Sequence, residues 1–325
     1  MSRIHNLFRR SLTSTTFENT LWLGSSAVVN GIVGALTTIV LARALGVANY
    51  GVYALIVSLM IMMIDVADLG LSSSIVRFGS ESISKGDAGR LRSVIAIVIR
   101  WKLIAGFIVL ALAVLFVITI GASAFSHIDE KILTYFWISF VAVALGIAAS
   151  IFTPIYQSFQ QYKKYSLLLS ARSLLKLILI AACVFILLEF RIEVLVLIEV
   201  CVIGLSLILL YALSPYKKLS PAHYDRGLAR EMFSFNKWIS VYQLIVLVGG
   251  RLDMAFVGGF SDQAALGLYA AGSKVAALIN AVASSYMSVL MSDMSLLPSH
   301  DVLRQKQKNA FAVVVLITGG IVLIA

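Results

Sequence analysis

Apolar runs near the ~20 residues needed to cross a bilayer recur along the whole chain, separated by short polar segments. They cover roughly residues 20–42, 51–75, 93–120, 132–157, 166–188, 193–213, 236–258, 263–292 and 310–325. No ten-residue alternation of the kind that marks a transmembrane strand interrupts them. The pattern predicts an all-α polytopic membrane protein with about nine spans. The run from Leu21 to Ala42 follows basic residues, as a signal peptide would, but it exceeds a signal h-region. It is expected to be a retained first helix.

A short motif recurs at the start of two of these spans. Residues 50–54 read Tyr-Gly-Val-Tyr-Ala and residues 266–270 read Leu-Gly-Leu-Tyr-Ala, so Gly51 corresponds to Gly267 and Tyr53 to Tyr269. Ala48 and Ala264 extend the match. The spacing predicts two pseudo-repeated six-helix bundles entering from the same side, an arrangement that places a transporter's substrate at the bundle interface. The expected organisation is a first bundle over 1–213, a cytoplasmic loop over 214–235 and the start of a second bundle over 236–325. The chain stops inside an apolar run at Ala325, which predicts that the second bundle is truncated.

Charge sharpens this picture. Only 13% of the 325 residues are charged, against 60% hydrophobic; a soluble domain carries about 25%. The net charge of +10 would suggest a nucleic-acid partner in a soluble protein, but the basic residues are dispersed over alternate loops. They lie at Arg3, Arg9 and Arg10, over 77–92, at Lys163 and Lys164, over 217–237 and over 304–308, whereas the opposite loops hold Arg43, Lys131 and Arg191. The positive-inside rule places the N-terminus in the cytoplasm, and no nucleic-acid surface is expected. Cys183 and Cys201 fall inside spans without metal-ligand spacing and read as small hydrophobes. His5, His127, His223 and His300 form no metal or triad pattern. Neither a cofactor nor an ATP motif is expected.

Six cations remain inside the spans: Arg100, Lys102, Arg172, Lys176, Arg251 and Lys274. An Arg or Lys at the bilayer centre costs roughly 2.5–3.5 kcal/mol on insertion scales, so such residues face a bundle interior or a watery cavity. Arg172 and Lys176 share one helical face, and Lys176 lies near mid-depth. The two either line an anion path or form a structural ion pair with Glu199 or another acid. Arg251 follows a Gly pair that can mark a kink, and it either joins an anion path or, with Asp253, caps the outer end of its helix. Lys274 again falls near mid-depth, with Asp253 or Asp65 as alternative partners. Arg172, Lys176, Arg251 and Lys274 are the candidate anion-binding residues. Asp65, Glu199 and Asp253 are the acids suited to ion coupling, or to pairing with those cations. Arg100 and Lys102 are expected to snorkel to the cytoplasmic surface. Asp68, near Arg77, is expected to fix the end of the second helix, and Pro154 to kink the fourth. Gly46 and Gly51 are expected to bracket a tight external turn, with Tyr50 and Tyr53 as interfacial anchors.

Residues 42–77, ARALGVANYGVYALIVSLMIMMIDVADLGLSSSIVR, resemble the N-terminal signature of the Wzx-type polysaccharide-biosynthesis flippases. These belong to the superfamily that also holds the MATE drug extruders and the lipid II flippases. Ala42, Arg43, Leu45, Gly46, Tyr50, Gly51, Tyr53, Asp68, Gly70, Leu71 and Arg77 carry the likeness, with Asp253, Gly267, Tyr269 and Ala270 in the second half. The resemblance implies an ion-driven flippase for an undecaprenyl-pyrophosphate-linked oligosaccharide, in the bacterial inner membrane. O-antigen, capsule or exopolysaccharide would be the destination, and a polymerase and chain-length proteins would be partners. Two other readings share these spans: an ion-coupled drug antiporter, and a non-transporting structural partner of a synthesis complex. Connectors this short speak against a membrane enzyme.

Overall fold

The computed structural model describes residues 15–121, 131–187, 191–214 and 225–273, and every regular element among them is helical. Helix α1 (Thr15–Asp68) is followed by short α2 (Leu71–Ser74), a π-turn (Ile75–Gly79) and α3 (Ser80–Ser84). Then come α4 (Ala88–Phe116), α5 (Ile132–Ser150), α6 (Phe152–Ser158), α7 (Tyr162–Ala182), α8 (Ile192–Ala212) and α9 (Arg226–Phe260). Residues 263–273 form a further helical stretch, α10. Six of the described helices are long and apolar enough to cross a membrane. The expected ninth span, 310–325, and most of the eighth lie outside the described residues.

Helix α1 contains the first two expected spans. Its apolar part, Leu21–Asp68, has 48 residues, or about 72 Å at 1.5 Å per residue, more than twice the ~30 Å hydrocarbon thickness. The chain breaks within it at Gly46, whose φ of 75° and ψ of 165° are open to a residue without a Cβ. Gly51, expected to serve the same turn, is helical. Its missing side chain is used differently: a Cβ there would lie 2.6 Å from the Gly267 amide nitrogen and 2.7 Å from the Gln263 carbonyl oxygen. A Cβ on Gly267 would run into the Val47 carbonyl. The two repeat-related glycines therefore meet backbone to backbone where α1 crosses α10, the close approach that small residues permit between membrane helices.

At its other end the second span stops at Asp68, followed by Leu69 and Gly70 with positive φ of 42° and 74°. The break leaves the Leu69 carbonyl outside a helix. Two polar residues of α9 satisfy it: Asn236 Nδ2 donates at 3.0 Å and Ser240 Oγ at 2.7 Å. Ser74 Oγ in turn donates to Asn236 Oδ1 at 3.2 Å. Leu228, Ala229 and Met232 of α9 complete an apolar cluster with Leu71, Ile75, Phe78, Leu91 and Val94. Arg77 does not meet Asp68; its guanidinium stacks 4.2 Å from the centre of the Phe235 ring on α9.

Lys102 overturns the snorkelling expectation. It is completely buried and pairs with Asp68 at 2.5 Å. Its ammonium also donates to Ser72 Oγ at 3.2 Å, Ser150 Oγ at 3.1 Å and the Ser150 carbonyl at 3.0 Å. That carbonyl is free because its helical partner four residues on would be Pro154, which has no N–H. Proline thus supplies an acceptor to the buried lysine, and burial of the charge is possible because every donor has a partner. The outward surfaces carry large apolar residues instead, such as Phe107, Leu112 and Ile118 on and after α4 and Ile178 on α7. That inversion suits lipid contact, and the chain is a multi-pass membrane protein.

A side chain at the glycine crossing has nowhere to go. Gly267→Ala or Gly51→Leu should separate α1 from α10 at that end. The check is labelling of a Ser58→Cys reporter by a membrane-impermeant maleimide added from the face on which Gly51 lies. A several-fold rise in rate is expected relative to the reporter alone.

Candidate functional site

Between the glycine crossing and the Leu69–Asn236 contact lies a cavity of about 250 Å³. Helix α1 supplies Asn30, Thr37, Tyr50, Tyr53 and Ser58, α7 supplies Ser173 and Lys176, and the later helices supply Gly250, Asp253, Tyr269 and Ser273. It is slightly smaller than the ~300–1,000 Å³ typical of ligand pockets, and its lining alternates aromatic rings with hydroxyl, amide and charged groups.

Lys176 both lines this cavity and pairs with Glu199 of α8. Glu199 is almost fully buried, and the same carboxylate oxygen accepts the Tyr53 hydroxyl proton at 2.5 Å. The Lys176 ammonium also sits 5.9 Å from the centre of the Tyr53 ring. Three helical segments are joined through one carboxylate. Desolvating two charges is costly, and a second hydrogen bond to the acid is what makes such a pair tolerable. Lys176 keeps about a quarter of its side chain exposed, against 6% for Glu199, so the cation is the accessible member.

A second tyrosine–carboxylate pair faces the cavity from the other side. Tyr269 donates its hydroxyl to Asp253 Oδ2, while Asp253 Oδ1 accepts the Met254 backbone N–H at 2.7 Å. Tyr53 and Tyr269 are the repeat-related tyrosines, so the motif places one phenol–carboxylate contact on each side. The interfacial-anchor reading of Tyr50 and Tyr53 does not hold. Both are buried, at 3% and 4% exposure, because the turn at Gly46 points the start of the second span into the helix interface. The recurrence of a tyrosine two residues after a glycine was the available signal.

The other expected site residues divide among neighbouring spaces. Arg172, one turn from Lys176, lines a separate cavity of about 460 Å³ between α1, α5, α6, α7 and α8, together with Thr153, Tyr165 and Ser206. Asp65 lines a third, of about 450 Å³, with Asp68, Ser72, Ser150, Thr153, Gln243 and Gly250. Gly250 borders both the central and the Asp65 cavities, and Ser150 and Thr153 border both the Asp65 and the Arg172 cavities. The three spaces adjoin in series. The Arg251 side chain and all of Lys274 lie outside the described residues. So do the four histidines. Among the described residues no group of three or more His, Cys, Asp or Glu is placed to hold a metal ion.

Residues 16–292 match the family model described as polysaccharide biosynthesis protein. No curated protein matches the chain. Among solved structures, a point mutant of a MATE covers 97% of this chain and 74% of its own, at 13% identity and a TM-score of 0.56. A MATE in complex with MaL6 covers 97% and 73%, at 13% identity and a TM-score of 0.58. The chain belongs to the polysaccharide biosynthesis protein family, and its fold is that of the MATE transporters.

The Lys176–Glu199 pair gives a direct test of how these helices are held. Lys176→Met or Glu199→Gln alone should destabilise the protein, by about 3–5 kcal/mol if the remaining charge stays buried. The double variant should recover much of that loss. Thermal midpoints of the four proteins in one detergent make the cycle.

Proposed function

We propose that this member of the polysaccharide biosynthesis family is a flippase for a prenyl-pyrophosphate-linked oligosaccharide. In this reading it moves repeat units from the inner to the outer leaflet of a bacterial cytoplasmic membrane, for assembly into O-antigen, capsule or exopolysaccharide. The observation that supports it most is the placement of Lys176: an ammonium open to a cavity between α1, α7, α9 and α10, with the Glu199 carboxylate as its counter-charge. A phosphate entering that cavity can replace Glu199 as partner of the ammonium, while the prenyl tail remains in lipid.

Transport needs this exchange to be linked to movement, and the contacts suit that role. Glu199 binds Tyr53, and Tyr53 stands two residues from Gly51 at the crossing with α10. Withdrawing Lys176 toward phosphate removes one restraint on the carboxylate that holds Tyr53, and so loosens the crossing from within. Alternating access then rocks the two bundles, 1–213 and the part from 236 onward, about this cavity. Arg172, and with it Arg251 and Lys274, would extend the anion path; Glu199, Asp253 and Asp65 would take up and release the coupling ion. A polymerase and chain-length proteins would receive the product.

Asp253 and three tyrosines on the same cavity favour a second reading, export of an organic cation by an ion-coupled antiporter. One assay separates the two. Proteoliposomes under an imposed ion gradient are loaded with a fluorescent prenyl-pyrophosphate oligosaccharide or with a cationic dye, and leaflet exposure or efflux is followed. Flipping of the lipid-linked sugar is expected, falling by roughly an order of magnitude or more in Lys176→Met and largely retained in Lys176→Arg. Dye efflux without lipid flipping would establish the antiporter instead, and folded protein that moves neither would favour a structural partner of the synthesis complex.

A further inference from the structure

Asn30, on the wall of this cavity, carries an unmet chemical demand. It lies nine residues beyond Leu21, where the first span begins, which is about 14 Å along the helix and so near mid-depth of a ~30 Å hydrocarbon layer. Both its amide nitrogen and its amide oxygen are buried, and neither has a hydrogen-bond partner among the described residues. A primary amide without partners at that depth is costly to hold, and the described fold gains no bond from it.

Five of its polar neighbours differ. Thr37 Oγ1 donates to the Val33 carbonyl at 2.7 Å and Ser173 Oγ to the Leu169 carbonyl at 3.3 Å. Ser273 Oγ donates to the Ala270 carbonyl at 2.9 Å, and the Tyr53 and Tyr269 hydroxyls are held by their carboxylates. These donors are engaged within the protein, while the two donors and the acceptor of the Asn30 amide have no partner among the described residues and would need a ligand to meet them.

That combination selects among ligand chemistries. A phosphate offers acceptors alone and an ammonium donors alone, so each leaves one end of the amide unpaired. Sugar hydroxyls, or an N-acyl group on a sugar, offer both. Asn30 and Lys176 line one cavity of about 250 Å³, so one ligand bearing a phosphate and an adjoining sugar reaches both. We propose that Asn30 is the residue that reads the sugar next to the pyrophosphate, and that it makes the site prefer glycosylated over bare carrier. The proposal rests on the flippase reading given above.

The test uses the full chain in proteoliposomes with two cargos, a prenyl pyrophosphate bearing one N-acetylhexosamine and the same prenyl pyrophosphate without sugar. Asn30→Leu keeps the size and removes the hydrogen bonding; Asn30→Ala is the second variant. The expected result is a loss of roughly tenfold or more in the ratio of glycosylated to bare carrier transported, with a thermal midpoint equal to or above that of the parent. A ratio unchanged in both variants would overturn the proposal. So would a lowered midpoint with both cargos falling together, since that marks a structural amide or one served by bound water. Failure of the parent chain to move either cargo would instead remove the flippase reading, and this inference with it.

Discussion

An ammonium held inside the hydrocarbon layer must find a counter-charge and further acceptors, and that requirement organises this molecule. Among the described residues, Lys176 with Glu199 and Lys102 with Asp68 form such pairs, and each ties helical segments that are distant in sequence. The Lys102 pair is closed: its donors are met by Asp68, Ser72 and Ser150, and the lysine is fully covered. The Lys176 pair is open on one side. A buried pair with every partner satisfied is a structural joint; one whose cation borders a cavity can exchange its partner for a ligand.

Those joints work with two contacts made by backbone rather than by charge. Gly51 and Gly267 let α1 and α10 touch at one end of the interface, and the broken helix at Leu69–Gly70 offers a carbonyl to α9 at the other. Dispersion and hydrogen bonding, not the hydrophobic effect, hold helices together in lipid, so both contacts are modest in strength. Tyr53 joins the charge system to the glycine crossing within about half a helical turn. An exchange at Lys176 therefore reaches the contact that closes the cavity, without any long chain of intermediates.

The helical, multi-pass character and the family signature were legible from residues alone. Apolar run length is set by bilayer thickness, and the glycine and tyrosine repeat survives as spacing. The cation–acid inventory was also legible, including Glu199 as one acid with which Arg172 or Lys176 could pair; that Lys176 is the one that does so came from the fold. Other assignments failed for a common reason. Lys102 lies close enough to the end of its span to snorkel, and only the arrival of Asp68, Ser72 and a proline-freed carbonyl from three other elements makes burial cheaper. Tyr53 reads as an interfacial anchor by depth, yet the Gly46 turn directs it at Glu199, far away in sequence. Asn30 gave no signal, because a lone amide in an apolar run says nothing about whether a partner will meet it.

What the sequence determined by itself, then, was everything governed by local spacing and by the cost of leaving water: helices, their length, the recurrence of the motif and which residue types need company. Tertiary structure decided which charge met which. It set Arg172 and Lys176, neighbours on one helix face, in different cavities, made Gly51 a point of helix contact rather than a turn, and left Asn30 unpaired among the described residues. Pairing across helices depends on the rotation and crossing of whole segments, quantities that each span's composition leaves free.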